Sequence, residues 1–180
     1  MIGKIEYKEL SLSDINKNLL DNFNRFQKVT KRWQKNTEGW VLIDCEYTDD
    51  WDKKRKDNKI KYFSDVINKN TGYIFGAYAD NNLIGFSVLL NEKFGKNEQY
   101  IQLKYFHVSL EFRHQGIGKK LFKMTVKKAK ETGIEKIYIS ANDSEETQKF
   151  YLGIGCKDAK EINPKMVEEE PYDRQMEYNI

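Results

Sequence analysis

Cysteine and histidine are scarce, with two of each in 180 residues. Cys45 and Cys156 cannot make a disulfide framework, which points to a reducing compartment. Two cysteines and two histidines scattered along the chain form no metal-ligand cluster, so no metal is expected. The sequence also lacks any apolar run approaching the roughly 20 residues that span a bilayer. Its first residues, Met1 to Glu6, carry no signal-peptide apolar core. A cytoplasmic protein with no membrane partner is expected. A large charge excess is missing too. Lys and Arg total 31 against 28 Asp and Glu, a net charge of +3, and the two signs interleave. No nucleic-acid partner is expected from that balance. Internal repeats and low-complexity tracts are absent.

What remains is ordinary globular material, 39% hydrophobic and 33% charged. The length suits one domain over 1–180, long enough for a sizeable core, as a monomer or homodimer. Ile2 to Leu10 alternates apolar and polar and predicts a first strand. Ser13-Asp14 can cap a helix whose buried stripe would be Ile15, Leu19, Phe23, Phe26 and Trp33, ended by Asn36-Thr37-Glu38-Gly39. Trp40 to Tyr47 is short and apolar, then acidic. Asp49 to Asn68 predicts a second helix, stopped by Asn70-Thr71-Gly72. Tyr73–Ala79 and Leu83–Leu90 predict a hairpin about Asp80-Asn81-Asn82, because Asn and Asp tolerate positive φ.

Tyr100 to Val108 is the next strand. A glycine loop and a Lys-rich amphipathic helix follow it, then a strand over Lys136–Ala141 and another helix. Strand, helix, strand in that order requires a parallel crossover. Cys156–Glu161 and Arg174–Tyr178 predict last strands around a loop, Asn163 to Tyr172. The fold class is α/β of the α+β type: a central mixed, mostly antiparallel sheet flanked by helices.

The loop is Arg113-His114-Gln115-Gly116-Ile117-Gly118-Lys119-Lys120. Two glycines at a helix start leave amides unpaired for a phosphate, with the positive end of the helix dipole behind them. A Walker A motif fails at Arg113 and Lys120, and a dinucleotide fingerprint fails at Leu121. The spacing Arg-x-x-Gly-x-Gly after a strand resembles the pyrophosphate motif of the GNAT superfamily, the acetyl-CoA-dependent N-acetyltransferases. A second block, Ser144 to Cys156, resembles that family's later helix, with Phe150-Tyr151 before a Gly-containing turn. The resemblance covers about Gly72 to the C-terminus.

The resemblance implies a parallel strand pair that splays to admit pantetheine, with acetyl-CoA as co-substrate and an amine as acceptor. The coenzyme-binding set is Val108, Arg113, His114, Gln115, Gly116, Ile117, Gly118, Lys119, Lys120, Asn142, Ser144 and Tyr151. Val108 supplies a backbone contact and an N–H to the thioester oxygen. Arg113 adds a charge-assisted donor or covers the strand end. The helix lysines beyond Lys120 read as a solvated face. Tyr151 is the general acid for the leaving thiolate, from reference pKa values about 2 kcal/mol uphill for full transfer. Strand alternation puts Gln102, Lys104 and Phe106 on the face of Val108, and His107 on the other unless a bulge intervenes. No base is visible there; a water relay, Asp44, Glu46 or Asp173 is open. Cys156 reads as a small core residue.

Trp40, Tyr47 and Trp51 could line an acceptor pocket or belong to the core. The run Glu168-Glu169-Glu170 hints at a cationic acceptor such as an aminoglycoside or polyamine. The expected activity is direct acetyl transfer to a primary amine of a small molecule. A protein or peptide amine, or an acyl-CoA-binding sensor without turnover, is the alternative.

Overall fold

The computed structural model describes residues 4–180. One seven-stranded sheet carries the architecture, in the order β1-β4-β5-β6-β7-β9-β8. Its strands are β1 (Glu6–Glu9), β4 (Gly72–Ala79), β5 (Asn82–Leu90), β6 (Tyr100–Val108), β7 (Lys136–Ala141), β8 (Lys157–Asp158) and β9 (Arg174–Asn179). Every neighbouring pair is antiparallel except β6 with β7. The described residues form four α-helices, α1 (Lys53–Asn68), α2 (Ile117–Glu131), α3 (Glu145–Gly153) and α4 (Pro164–Glu169). A separate hairpin pairs β2 (Gln27–Asn36) with β3 (Gly39–Asp49).

The expected mixed sheet with one parallel crossover is therefore present, and the second half of the chain follows its sequence pattern closely. Asp80 and Asn81 take φ of 47° and 63° in the β4–β5 turn, the conformation that short polar side chains tolerate best. Asp52 caps α1 by accepting from the Arg55 amide at 2.7 Å, and Asn70 ends the segment with φ 53°. Ser144 caps α3.

The first half departs from expectation. The first strand is shorter than Ile2–Leu10, and Ile2 and Gly3 lie outside the described residues. No helix follows Ser13-Asp14. A single 3-10 turn covers Leu12–Asp14, and turns then lead into β2. Asparagines explain it: the Asn16 side chain accepts from the Asn18 amide, and that of Asn24 from the Phe26 amide. Such local bonds give the backbone an alternative to the helical ladder. Leu20 and Phe23 are still fully buried, so the apolar residues do go inside, but from turns. Phe26 is exposed and Trp33 stands in β2. Asn36-Thr37-Glu38-Gly39 is the tip of the hairpin, where Oδ1 of the Asn36 side chain accepts from the Glu38 and Gly39 amides. Trp40 to Tyr47 is the return strand β3.

Near the C-terminus, strand pairing is confined to Lys157–Asp158 rather than Cys156–Glu161. The expected loop from Asn163 contains α4, capped by the Asn163 side chain and started by Pro164, a proline position that sacrifices no helical hydrogen bond.

Helix α2 packs Ile117, Leu121 and Phe122 on one face of the sheet, with Phe75, Ala77 and Ile84. On the other face α1 packs Ile60, Phe63 and Val66 against Ile74, Phe86 and Val88. Strand β6 lies between the two cores, so consecutive residues on it face opposite chambers.

Candidate active site

Strands β6 and β7 pair only from Tyr100 to Gln102, against Lys136 to Tyr138. Beyond Gln102 no pairing joins them. A bulge bends β6 at that point: its register with β5 passes from Leu89↔Leu103 to Val88↔Tyr105, leaving Lys104 extra. The bulge also resets the faces. Gln102 no longer shares the face of Phe106 and Val108, which instead join Ile101 and Leu103 on the α2 side. Tyr105 and His107 turn to the α1 side, against Tyr62, Trp51 and Phe86.

The open gap leads into a cleft of about 1300 Å³. Its backbone wall is polar. The Ser109 amide donates to the Ile84 carbonyl at 2.8 Å, so the preceding pair, Gly85↔Val108, is the non-hydrogen-bonded kind. The N–H and C=O of Val108 therefore turn away from β5 toward the gap. Arg113 Nε takes the carbonyl at 3.0 Å, and its Nη2 bonds the Arg25 carbonyl at 3.2 Å. Of the two roles open to Arg113, covering the strand end is the one these bonds display.

The loop after β6 delivers a helix start. Gly116 sits at φ 81° with nothing within 4 Å of an added Cβ, so its requirement is conformational. An added Cβ on Gly118 would lie 3.2 Å from the Phe150 ring, so this glycine admits α3 closely. His114 also takes positive φ, 61°, and its Nε2 lies 3.0 Å from a Glu146 carboxylate oxygen. The first amide of the segment to find a helical acceptor is Lys120, on the Gly116 carbonyl. Among the described residues no acceptor takes the amides from His114 to Lys119, which leaves them for a phosphate at the positive end of α2.

Other expected residues separate. Gly116, Gly118, Lys119, Arg113, His114, Val108, Asn142 and Tyr151 line the cleft. Ile117 buries its side chain with Leu121, so only its amide is near the loop. The Gln115 side chain folds back onto the Glu111 carbonyl, and the Lys120 ammonium lies 5.8 Å from the Tyr7 ring, outside the cleft. Ser144 is 1% exposed; its hydroxyl caps α3 and bonds Gln27 and Thr147. Asn142 is half-buried at the cleft wall, and its carbonyl oxygen accepts from the Ser144 amide.

Tyr151 packs against Phe106 and Phe150. Its hydroxyl makes no hydrogen bond among the described residues, although it lines the cleft. Burial raises its pKa, with Cys156 and Asp173 adding to the shift, so it stays a neutral donor at any working pH. Cys156 is a buried core residue, its thiol pushed up to about 12 by burial.

Of the three carboxylates considered for a base, Asp44 and Glu46 are exposed on β3, and Asp173 lines the cleft. Burial pushes the Asp173 carboxyl up to about 6, against the opposing hydrogen bond from Ser140.

On the α1 side of β6 the same cleft is lined by Trp51, Lys59, Tyr105 and His107, and this part is termed the second chamber. Trp51 meets His107 edge-on at 4.8 Å. Burial first, then Arg25, Lys59 and Arg113, hold the His107 imidazole well below its ordinary pKa, so it is neutral. Of the three aromatic candidates only Trp51 lines this space. The Tyr47 hydroxyl bonds Asp143 at 2.8 Å, and Trp40 bonds Asp158. Sequence reasoning did not find Arg25 and Lys59, because a basic residue amid many exposed ones carries no local signal of burial.

The comparisons agree with this geometry. Residues 37–155 match the model of the acetyltransferase (GNAT) family. No curated protein matches the sequence with significance. Among solved structures, a candidate streptothricin acetyltransferase from Bacillus anthracis str. Ames, in complex with acetyl coenzyme A, is 21% identical. It superimposes with a TM-score of 0.71, over 98% of each chain. A nourseothricin acetyltransferase gives a TM-score of 0.68 at 14% identity, over 97% of this chain and 98% of that one. A ribosomal-protein-alanine N-acetyltransferase from Brucella melitensis biovar Abortus 2308 gives 0.58 at 20% identity, over 89% and 96%. At such identities the likeness establishes the fold, and the family match establishes the rest: this chain is an acetyltransferase of the GNAT family.

Proposed function

We propose that the chain, as a single domain over 1–180, moves acetyl from acetyl-CoA to a primary amine of a small molecule by direct attack in a ternary complex. One convergence carries this reading. The outward-facing Val108 amide, the free amides at the start of α2, and the free Tyr151 hydroxyl all border one open gap. The amides from Gln115 to Lys119 hold the pyrophosphate, and the gap takes the pantetheine arm.

In the transfer, the amine nitrogen forms a bond to the thioester carbon while the Val108 N–H steadies the charge on its oxygen. The carbon–sulfur bond then breaks. The amine proton passes to Asp173, whose carboxylate borders the cleft together with Tyr151. The sulfur leaves with a hydrogen bond from Tyr151. Because burial raises the tyrosine pKa, hydrogen bonding to the thiolate costs less than complete proton transfer, and solvent completes it.

Free-thiol release from acetyl-CoA across an amine panel, with Tyr151→Phe beside the parent, tests the reading. Release with an amine acceptor, abolished or much slowed by the substitution, supports it. Coenzyme binding without release for any amine would instead indicate an acyl-CoA-binding module. Release only with peptide amines would move the acceptor to proteins.

A further inference from the structure

We propose that the second chamber recognises an anionic group on the acceptor, so that the substrate is a small amino-acid-like molecule with its amine toward Asp173 and its carboxylate toward Lys59 and Arg25. This rests on the acetyltransferase reading and deepens it by naming an acceptor class.

Charge pairing on the chamber wall leaves one cation over. Lys104 is paired with Glu169 at 3.2 Å, and the Arg25 Nη2 with Asp49 at 2.6 Å. Arg55 bonds the Asp50 carbonyl at 2.9 Å. Lys59 has no carboxylate within 4.0 Å among the described residues. It is nonetheless half-buried, with its ammonium 3.6 Å from the centre of the Tyr105 ring and 5.6 Å from that of Trp51. An aromatic face repays part of the lost hydration but not the charge. Burial first, then Lys104, push its pKa down to about 8, with the Glu170 carboxylate opposing the shift without reversing it.

Arg25 supplies the second observation. It is 7% exposed, lines the same wall, and lies 5.8 Å from the Trp51 ring. Its Nε is buried without an acceptor among the described residues. A guanidinium N–H buried and unpaired is costly in a finished structure. A carboxylate in the part of the cleft that Arg25 and Lys59 both line would face two cations gathered around the Trp51 ring. Asp173, which lines the same cleft as Tyr151, carries the complementary sign. An amine facing one group and a carboxylate facing the other is the charge pattern of a zwitterion.

The inference differs from the expectation drawn from Glu168-Glu169-Glu170. Glu169 is taken by Lys104, so the run does not present three free charges to a polycation.

Matched acceptors that differ only in the carboxylate provide the test: L-lysine against cadaverine, and L-phenylalanine against phenethylamine. The parent enzyme should favour a carboxylate-bearing member by about tenfold or more in kcat/KM, consistent with one charged hydrogen bond. Lys59→Met should bring that ratio close to one by raising KM for the carboxylate member, with the decarboxylated partner nearly unchanged. Equal or better use of the decarboxylated partners by the parent overturns the inference, as does a Lys59→Met effect that lowers both members equally. So does a parent that turns over neither carboxylate member. Failure of acetyl-CoA to raise the melting temperature is a separate result, which removes the acetyltransferase reading itself.

Discussion

The Ser140 hydroxyl donates to Oδ2 of Asp173 at 3.0 Å, tying the end of β7 to the residue before β9 at the mouth of the gap. Gln175 Nε2 lies 3.0 Å from the same hydroxyl oxygen, so the serine is held to offer its proton to the carboxylate. The pair fixes a half-buried acid on the cleft that Tyr151 also lines, without neutralising it.

The first prediction concerns pH. A carboxyl raised to about 6 in the folded protein must lose its proton before it can accept one from the amine. The kcat/KM should therefore rise through about pH 6 and level above it. Asp173→Asn should lower kcat by roughly 10²- to 10⁴-fold, the range for a removed acid–base group, and should abolish that limb. A full acidic limb surviving in the variant would remove Asp173 from the proton path.

The same group makes an opposite prediction for stability. Its folded pKa lies above the unfolded value of 3.8, so the folded state binds the proton more tightly. Stability is then lost as pH rises between about 4 and 6, where the buried charge develops. Asp173→Asn should melt higher than the parent at pH 8 and close to it at pH 4. Thermal denaturation at the two pH values decides it; a variant less stable at pH 8 contradicts the assignment of an uncompensated charge.

These residues show how far the sequence could be read. The strand Tyr100–Val108, the glycine loop, the strand Lys136–Ala141 and the α3 cap were all legible, because period, caps and turn residues agreed there with the tertiary fold. Leu20 and Phe23 misled, since their burial comes from asparagine-stabilised turns rather than a helical stripe. The bulge at Lys104 was invisible, since one extra residue in a strand leaves no mark in its composition, yet it decides that Gln102 leaves the face of Phe106 and Val108. Asp173 could be named only as one of three carboxylates. Long-range placement puts it on the cleft, with Asp44 and Glu46 exposed on β3.

Tyr151→Phe should separate chemistry from folding. The hydroxyl makes no hydrogen bond among the described residues, while the ring packs on Phe106 and Phe150. The variant should keep its melting temperature and its acetyl-CoA affinity while kcat drops by about 10²-fold or more. An unchanged kcat would show that the thiolate departs without this donor.

The two loop glycines should fail in different ways. Gly116→Ala meets no atom within 4 Å but forces a side chain to φ 81°, at about 1–2 kcal/mol. In a chain of this size that is a fall of several degrees in melting temperature. Gly118→Ala keeps an ordinary helical backbone and presses on Phe150 at 3.2 Å, the ring next to Tyr151. Its effect should appear in kcat and coenzyme KM more than in melting temperature. Equal stability losses for both would contradict the distinction.

A buried acid, Asp143, meets both strands of the hairpin. Asp143 is 6% exposed; its Oδ1 accepts from the Tyr47 hydroxyl at 2.8 Å, and its Oδ2 lies 3.3 Å from Arg32 Nη1. Its carbonyl accepts from the Trp33 amide, so both hairpin strands meet the turn that precedes α3. Removing the carboxylate strands the Tyr47 hydroxyl, and Arg32 retains some solvent to face. Asp143→Ala should therefore cost about 2–3 kcal/mol, and Tyr47→Phe about 1 kcal/mol. Loss of the latch should show first as faster proteolytic cleavage between Lys28 and Glu46, at denaturant concentrations where the sheet remains folded. Because Asn142 and Ser144 flank Asp143, coenzyme KM should rise in the same variant. Cleavage that accelerates only together with global unfolding would mean that the hairpin and the sheet open as one unit, with Asp143 stabilising both.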